Sequence, residues 1–195
     1  GGIPHHLLDI ADPKNVFTAS DFVREGGEAL TSILAHNHTP VVLGGTGFYI
    51  DALLRGVSLP EVPPNDTLRS ALEKKTLEEL QRLLKEVDYD RFLTIDTKNP
   101  RRLIRAIEIA EALGKNPPLV SQQRYDVLWI GLTLPMEELR ERIHTRLEER
   151  MGAGMVDEAT RLHNEGLSYK RMEQLGLEYR YIAQLLTGQL TKEQM

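Results

Sequence analysis

Residues 40–50 read PVVLGGTGFYI, and this stretch decides the predicted fold. A β-type apolar run at 41–43 stops at the glycine turn 44–47, and an apolar, helix-compatible run follows at 48–54. A buried strand that feeds a helix through glycines is typical of a phosphate site, because the backbone can approach the ligand and the helix N-terminus offers free N–H groups. An ordinary strand-to-helix connection explains the same letters, since neither G-x-G-x-x-G nor a P-loop is present. Spacing alone leaves both interpretations open.

The composition is that of an ordinary globular protein. The 195 residues are 41% hydrophobic and 27% charged, with a net charge of −5, so any contact with nucleic acid has to come from a local basic patch. The absence of cysteine excludes disulfides and thiolate metal sites. No apolar run approaches the roughly 18 residues that span a bilayer. We expect a cytoplasmic, monomeric protein without a membrane segment. Because the sequence starts without methionine and stops inside a helix pattern, we also expect a piece of a longer chain.

Two strand candidates lie among helix patterns. The first is 41–43, which follows a helix pattern at 22–35, and the second is the near-continuously apolar run 127–134. Strands that alternate with helices indicate a parallel α/β sheet. After the second strand, the sequence predicts helices at 136–151 (with Leu139, Ile143, Leu147 and Met151 on its core face) and 155–164, then a loop at 173–180 that enters a last helix ending at 186.

A different kind of sequence separates the two strand candidates. Asp66 can cap a helix at 67–75, and the capping box TLEE at 76–79 starts a second helix that reaches Val87. Asn99 and Pro100 then start a third helix, 101–113, which Gly114 closes. The sequence therefore predicts a mainly helical insert at 57–125 in an α/β core formed by 1–56 and 126–195.

Basic residues crowd the start of the helix pattern 101–113. They are Lys98, Arg101, Arg102 and Arg105. Cations at a helix N-terminus oppose the macrodipole, and Arg101 and Arg105 form a like-charge i,i+4 pair, so each conflict costs about 0.2–1 kcal/mol. A sequence that accepts these costs indicates an anionic partner, most simply RNA phosphate. The alternative is a solvated arginine face that Glu108 partly neutralises.

A second arginine row lies on the helix pattern 136–151. Arg142, Arg146 and Arg150 recur every four residues and share one helix face. Guanidinium groups bind pyrophosphate in bidentate geometry, which favours Arg over Lys at such a site. A surface salt-bridge ladder, with Glu138 and Glu149 as partners, is the alternative.

The order of several motifs resembles the tRNA dimethylallyltransferase family. The motifs are IPHHLLDI at 3–10, GGTGFYI at 44–50, NPRRLIRAIE at 99–108, RIxxR at 142–146 and GLEY at 176–179. The resemblance covers essentially the whole chain. It implies a P-loop-NTPase-like parallel-sheet core, incomplete at its N-terminus, with a helical insert that grips the tRNA anticodon stem-loop. It also implies transfer of a dimethylallyl group from dimethylallyl diphosphate to the N6 amine of the adenosine next to the anticodon, which has to leave the stacked loop.

The resemblance further implies roles for single residues. Thr46 and Arg146 are the catalytic candidates, and Arg142, Gly44 and Gly45 join them in binding the diphosphate. The positions that match tRNA contacts are Arg69, Arg101, Arg102, Leu103, Ile104, Arg105, Gln174 and Gly176. The resemblance also implies that Arg side chains and Mg²⁺ stabilise the negative charge that develops on the leaving diphosphate.

The family's N-terminal Walker-type loop has no counterpart in this sequence, and neither has its Asp general base. No G-x-x-x-x-G-K-[ST] occurs, and we assign the base to neither Asp9 nor Asp51. We therefore expect the main Mg²⁺ ligands to lie outside this sequence and the 195 residues alone to be inactive. The alternatives are an adenylate isopentenyltransferase that uses free nucleotide, a small P-loop kinase, and a non-catalytic RNA-binding derivative. The arginine-rich insert disfavours the first two.

Overall fold

The computed structural model describes residues 2–57, 59–118, 124–192 and 194–195. Ten α-helices form in this part of the chain. They are α1 (Ala19–Ala35), α2 (Gly47–Leu54), α3 (Asp66–Leu72), α4 (Leu77–Val87), α5 (Tyr89–Thr94), α6 (Pro100–Leu113), α7 (Met136–Gly152), α8 (Met155–Asn164), α9 (Tyr169–Leu175) and α10 (Leu177–Leu186). The helices belong to two compact units, Ala19–Asp126 and Gly1–Thr18 with Val127–Met195. The predicted boundaries of the insert, 57 and 125, stay a prediction.

Neither predicted strand is confirmed, because no strand forms in the residues that the structure describes. A strand is defined by hydrogen bonds to a neighbouring strand, and these two segments have no such ladder. Their apolar side chains are exposed instead: Leu43 is 84% exposed and Leu132 is 95% exposed. The parallel-sheet core is therefore not seen here, although both runs have the apolar character of buried strands.

Helices α1 and α2 pack closely against each other in the unit 19–126. A Cβ atom on Gly26 would lie 2.9 Å from Cδ2 of Leu53, so the glycine lets α1 approach α2. Phe22 and Tyr49 add an aromatic contact with ring centroids 5.4 Å apart. The predicted helix at 48–54 is confirmed, and the one at 22–35 begins earlier, at Ala19.

The capping signals of the predicted insert are largely confirmed. The Thr76 hydroxyl accepts from the Glu79 N–H at 3.3 Å, and the Glu79 carboxylate accepts from the Thr76 N–H at 2.7 Å, which starts α4. The Asn99 side chain accepts from two N–H groups of α6, and Gly114 ends this helix with φ +78°. The predicted cap of α3 is wrong, because Asn65 and not Asp66 accepts the N–H of the first turn.

Helices α3, α4 and α6 enclose one hydrophobic core. Its buried members are Leu72, Leu80, Leu84, Leu103, Ile104, Ala106 and Ile107. Helix α5 was not predicted. Its N-cap is Asp88, whose buried carboxylate accepts from the Arg91 N–H and from both the backbone and the side-chain nitrogen of Asn116. Burial alone would raise the pKa of Asp88, but these hydrogen bonds outweigh it and lower the pKa. Asp88 thus ties the chain beyond α6 to the end of α4.

The second unit, residues 1–18 with 127–195, is built around α8, α9 and α10. Its buried core consists of Met155, Ala159, Leu167, Met172, Ile182 and Ala183. The predicted helices at 136–151 and 155–164 are confirmed. Of the predicted core face of α7, Leu147 and Met151 pack against this core, whereas Leu139 and Ile143 are exposed. Arg171 joins the N-terminal segment to α9, because its Nε donates to the Pro13 carbonyl at 2.9 Å. No helix in the described ranges is both long and apolar enough for a membrane crossing.

Candidate functional site

The glycine turn of the predicted phosphate site leads directly into α2. Gly44, Gly45 and Thr46 are exposed, and Thr46 is the residue that precedes the helix. Its hydroxyl does not cap α2, and among the described residues it has no hydrogen-bond partner. The first-turn N–H groups of a helix have no intrahelical acceptors. The N–H groups of Tyr49 and Ile50 donate to the Thr46 carbonyl, so the turn presents the Thr46 hydroxyl beside the first two N–H groups of α2, although no strand precedes it.

Three of the predicted tRNA-contacting arginines fall into two groups, a buried ion-pair cluster and an exposed surface. Arg69 and Arg105, from α3 and α6, converge on the carboxylate of Glu108, which is only 2% exposed. Arg69 donates from Nε at 2.9 Å and from Nη2 at 2.8 Å, and Arg105 donates from Nη1. The Asn65 N–H adds a fourth hydrogen bond at 2.7 Å. Arg102, by contrast, is exposed and lies 3.5 Å from Asp96.

The Glu108 cluster (Glu108, Arg69, Arg105 and Asn65) joins α3 to α6 around a buried carboxylate. Burial alone would raise the pKa of Glu108, but the hydrogen bonds from Arg69, Asn65 and Arg105 lower it to about 2. Arg105 also donates to the Val62 carbonyl at 2.9 Å, which fastens residues 59–64, the segment before α3, to α6. The alternative interpretation of a neutralised arginine is therefore correct for Arg105. The side chains of Arg69 and Arg105 are still 34% and 35% exposed.

The remaining tRNA candidates of α6 separate into buried and exposed residues. The Leu103 and Ile104 side chains lie in the helical core at 0% and 8% exposure, where they are closed to a partner. Their burial gives them a packing role, and we do not carry the tRNA prediction further for them. Arg101 and Lys98 are exposed, and neither side chain has an acidic partner in the described part of the chain. We call Lys98, Arg101 and Arg102 the α6 cationic surface.

The arginine row of α7 is exposed and paired with carboxylates. Arg142 donates to Glu138 at 2.7 Å, as the salt-bridge alternative predicted. The other partner is Glu178 of α10 and not Glu149: its Oε1 lies 2.7 Å from Arg150 and 3.9 Å from Arg146. Each guanidinium retains a large exposed surface, 66% for Arg146. An exposed ion pair contributes little free energy, so a bound anion can replace these carboxylates on the arginines. The salt bridges therefore do not exclude an anion site.

The predicted loop at 173–180 is wrong. Ser168 caps a helix that continues to Leu175, so that Gly176 alone separates α9 from α10. Gly176 has φ +145° and ψ −179°, a conformation essentially restricted to glycine. The predicted tRNA contact Gln174 lies exposed on α9, where its side-chain oxygen accepts from Arg171 at 3.2 Å. The glycine thus sets the sharp change of direction that brings Glu178 to the α7 arginines.

Tyr179 continues this polar cluster on α10. Its hydroxyl donates to the Glu158 carboxylate of α8. Burial and the neighbouring Glu158 raise the pKa of Tyr179 to about 12. From its sequence, the GLEY motif predicts only tRNA contact. It predicts neither the ion pairs of Glu178 with the α7 arginines nor the hydrogen bond of Tyr179 with Glu158. An acidic residue in the first turn of a helix was the available signal for Glu178, but its pairing with Arg150, 28 residues away, has no local signature.

The whole chain matches one protein family. The family model described as IPP transferase matches residues 1–195, and the chain therefore belongs to this family. Two solved structures are similar to it in fold. The full-length tRNA isopentenylpyrophosphate transferase of Bacillus halodurans is 29% identical with a TM-score of 0.65, over 99% of this chain and 62% of that one. The Staphylococcus epidermidis enzyme is 26% identical with a TM-score of 0.61, over 99% of this chain and 65% of that one.

Curated relatives carry the name of a specific transferase. The tRNA dimethylallyltransferase 2 of Treponema denticola is 42% identical over 97% of this chain, and that of Shewanella sediminis is 38% identical over 100%. The chain spans 65% of the length of each of these relatives. The family resemblance inferred from the motifs is thus confirmed.

Proposed function

We propose that the protein containing this chain is a tRNA dimethylallyltransferase, which moves a dimethylallyl group from dimethylallyl diphosphate to the N6 amine of the adenosine next to the anticodon. The observation that carries this proposal is the match of all 195 residues to the family model. Two separate exposed arginine surfaces, one on α6 and one on α7, support it. In a protein with a net charge of −5, local clusters of exposed cations are candidate surfaces for binding anions.

The proposed reaction is a nucleophilic substitution. The N6 nitrogen of adenine forms a bond to the allylic carbon, the bond between this carbon and the diphosphate oxygen breaks with its electron pair on the oxygen, and one N6 proton passes to a base. Negative charge therefore develops on the diphosphate in the transition state. Preorganised donors that meet this charge are the largest contribution that a protein can make to such a step.

We assign the leaving group to the α7 arginines, and the glycine turn stays a diphosphate candidate on the family resemblance alone. Arg146 and Arg142 carry guanidinium groups that match the paired oxygens of a diphosphate. Thr46 provides a hydroxyl, and Gly44 and Gly45 let the backbone approach the ligand. In this proposal Thr46 and Arg146 are the catalytic residues.

We assign tRNA to the α6 cationic surface. Lys98, Arg101 and Arg102 are exposed at the start of the helix, and of these three side chains only that of Arg102 has an acidic partner, at 3.5 Å, in the described residues. Unpaired cations next to phosphate release counterions, which makes binding favourable and sensitive to salt. Arg69 and Arg105 add the exposed third of their side chains and hold the surface in place through Glu108. Gln174 and Gly176 are proposed to contact the same tRNA.

Other features of the whole protein are also proposals. We propose that the runs 41–43 and 127–134 are strands of a P-loop-NTPase-like parallel sheet, since their apolar composition suits burial on both faces. In the described residues no three acidic or histidine side chains gather into a metal site. We therefore derive no step through Mg²⁺ and propose that its ligands include groups outside this sequence. We also propose a cytoplasmic monomer.

Two variants of the full-length protein test the division of roles. Arg101→Ala with Arg102→Ala should weaken binding of an anticodon stem-loop and lower its salt dependence by about two units of slope, with pyrophosphate affinity unchanged. Arg146→Gln should leave stem-loop affinity intact and lower the transfer rate about 100-fold. Glu111→Gln on α6 is a control with an exposed side chain. If each variant loses affinity for the stem-loop and for pyrophosphate to the same degree, the assignment of the two ligands to separate surfaces is wrong.

A further inference from the structure

The carboxylate of Glu178 lies between two of the α7 arginines. Its Oε1 is 2.7 Å from Nη1 of Arg150 and 3.9 Å from Nη2 of Arg146. Glu178 is 36% exposed, Arg150 is 43% exposed and Arg146 is 66% exposed. Arg146 is thus the looser and more accessible of the two partners. A ligand could replace Glu178 on Arg146 while Arg150 keeps its hydrogen bond.

We propose that Glu178 is a positioning residue that occupies Arg146 in the free protein and competes with diphosphate for it. This inference rests on the proposed function, in which Arg146 binds the diphosphate. Competition follows from charge, because a carboxylate next to Arg146 repels an anion on the same guanidinium. Glu178 therefore lowers the affinity for diphosphate and accelerates its release after transfer.

The position of Glu178 in the fold makes this competition specific. Glu178 lies in the first turn of α10, where a negative charge is favourable, and Gly176 sets the direction in which this helix starts. Arg150 holds the carboxylate within reach of Arg146 even after a ligand arrives. Glu149, on the same helix as the arginines, has no ion pair in the residues that the structure describes and lacks such a link. The effect should therefore belong to Glu178 and not to acidic residues of this face in general.

The test measures inorganic pyrophosphate binding to the full-length protein by calorimetry and its dissociation rate by stopped flow. Glu178→Gln should bind pyrophosphate about fivefold more tightly than the wild type, mainly through slower dissociation. Glu178→Asp, which keeps the charge, should remain within about twofold. Glu149→Gln is the matched control for the loss of one negative charge, and it should also remain within about twofold.

A second measurement separates the competition from a general effect of charge. In an Arg146→Gln background, Glu178→Gln should no longer change pyrophosphate affinity, because the shared guanidinium is gone. Persistence of the fivefold effect there, or an equal effect of Glu149→Gln, would overturn the role of Glu178. If Arg146→Gln alone leaves pyrophosphate affinity unchanged, the proposed diphosphate site itself is wrong. Thermal unfolding of each variant verifies that it is folded.

Discussion

Glu108→Gln is the substitution that most directly probes how α3 and α6 are held together. The carboxylate accepts four hydrogen bonds from Arg69, Arg105 and Asn65, and these lower its pKa from the ordinary 4.5 to about 2. This difference corresponds to about 3 kcal/mol of free energy of unfolding at neutral pH. We expect Glu108→Gln to lose about this amount, because glutamine keeps an acceptor oxygen but not the charge that the two guanidinium groups need.

The pH dependence has a defined sign. Folding lowers the pKa of Glu108, so its stabilising contribution is complete above pH 4.5 and disappears as the pH falls towards 2. The difference in stability between wild type and Glu108→Gln should therefore shrink over that window.

Hydrogen exchange measured by mass spectrometry, at neutral pH and at steps through the acid window, can follow α3 and α6 separately from the other unit. The helices α8 to α10 serve as the internal reference, and Glu111→Gln is the matched control on α6. If Glu108→Gln reduces protection in α3 and α6 no more than Glu111→Gln does, the buried carboxylate does not stabilise these helices.

Three further changes have defined outcomes. Leu103→Ala, in a fully buried position, should cost about 2–5 kcal/mol in denaturant unfolding, whereas Leu113→Ala, 56% exposed, should cost less than about 0.5 kcal/mol; equal losses would contradict the assigned core. Gly176→Ala should cost about 1–3 kcal/mol, because φ +145° strains any side chain, and an unchanged melting curve would be inconsistent with this backbone. Glu158→Gln should move the alkaline titration of Tyr179, followed by tyrosinate absorbance, down from about 12 towards 10; no movement would exclude the Tyr179–Glu158 hydrogen bond.

Helix ends could be read from the sequence because their causes are local. Thr76 and Glu79 satisfy each other within one turn, and Asn99 and Gly114 bracket α6 at its two ends. Strands have no such local cause. The run 127–134 is apolar enough for a buried strand, but a strand exists only when a neighbour supplies hydrogen bonds, and the described residues supply none.

The candidate site shows the same contrast between local and distant partners. The sequence identified the arginines of α6 and α7, and it identified Glu108 as a neighbour of Arg105 three residues away. It could not show that Arg69, from another helix, shares the same carboxylate, or that Glu178 reaches Arg146. These pairs depend on how the helices pack, and helix packing is decided by many apolar contacts at once. Burial of Leu103 and Ile104 within a motif assigned to tRNA contact has the same origin.

A transfer assay with the full-length protein tests the proposed function most directly. An anticodon stem-loop and adenosine monophosphate are offered together with dimethylallyl diphosphate, and mass spectrometry locates the product. We expect one dimethylallyl group on N6 of the adenosine next to the anticodon, with little change in the free nucleotide. Prenylation of the nucleotide alone, or of neither acceptor, would contradict it.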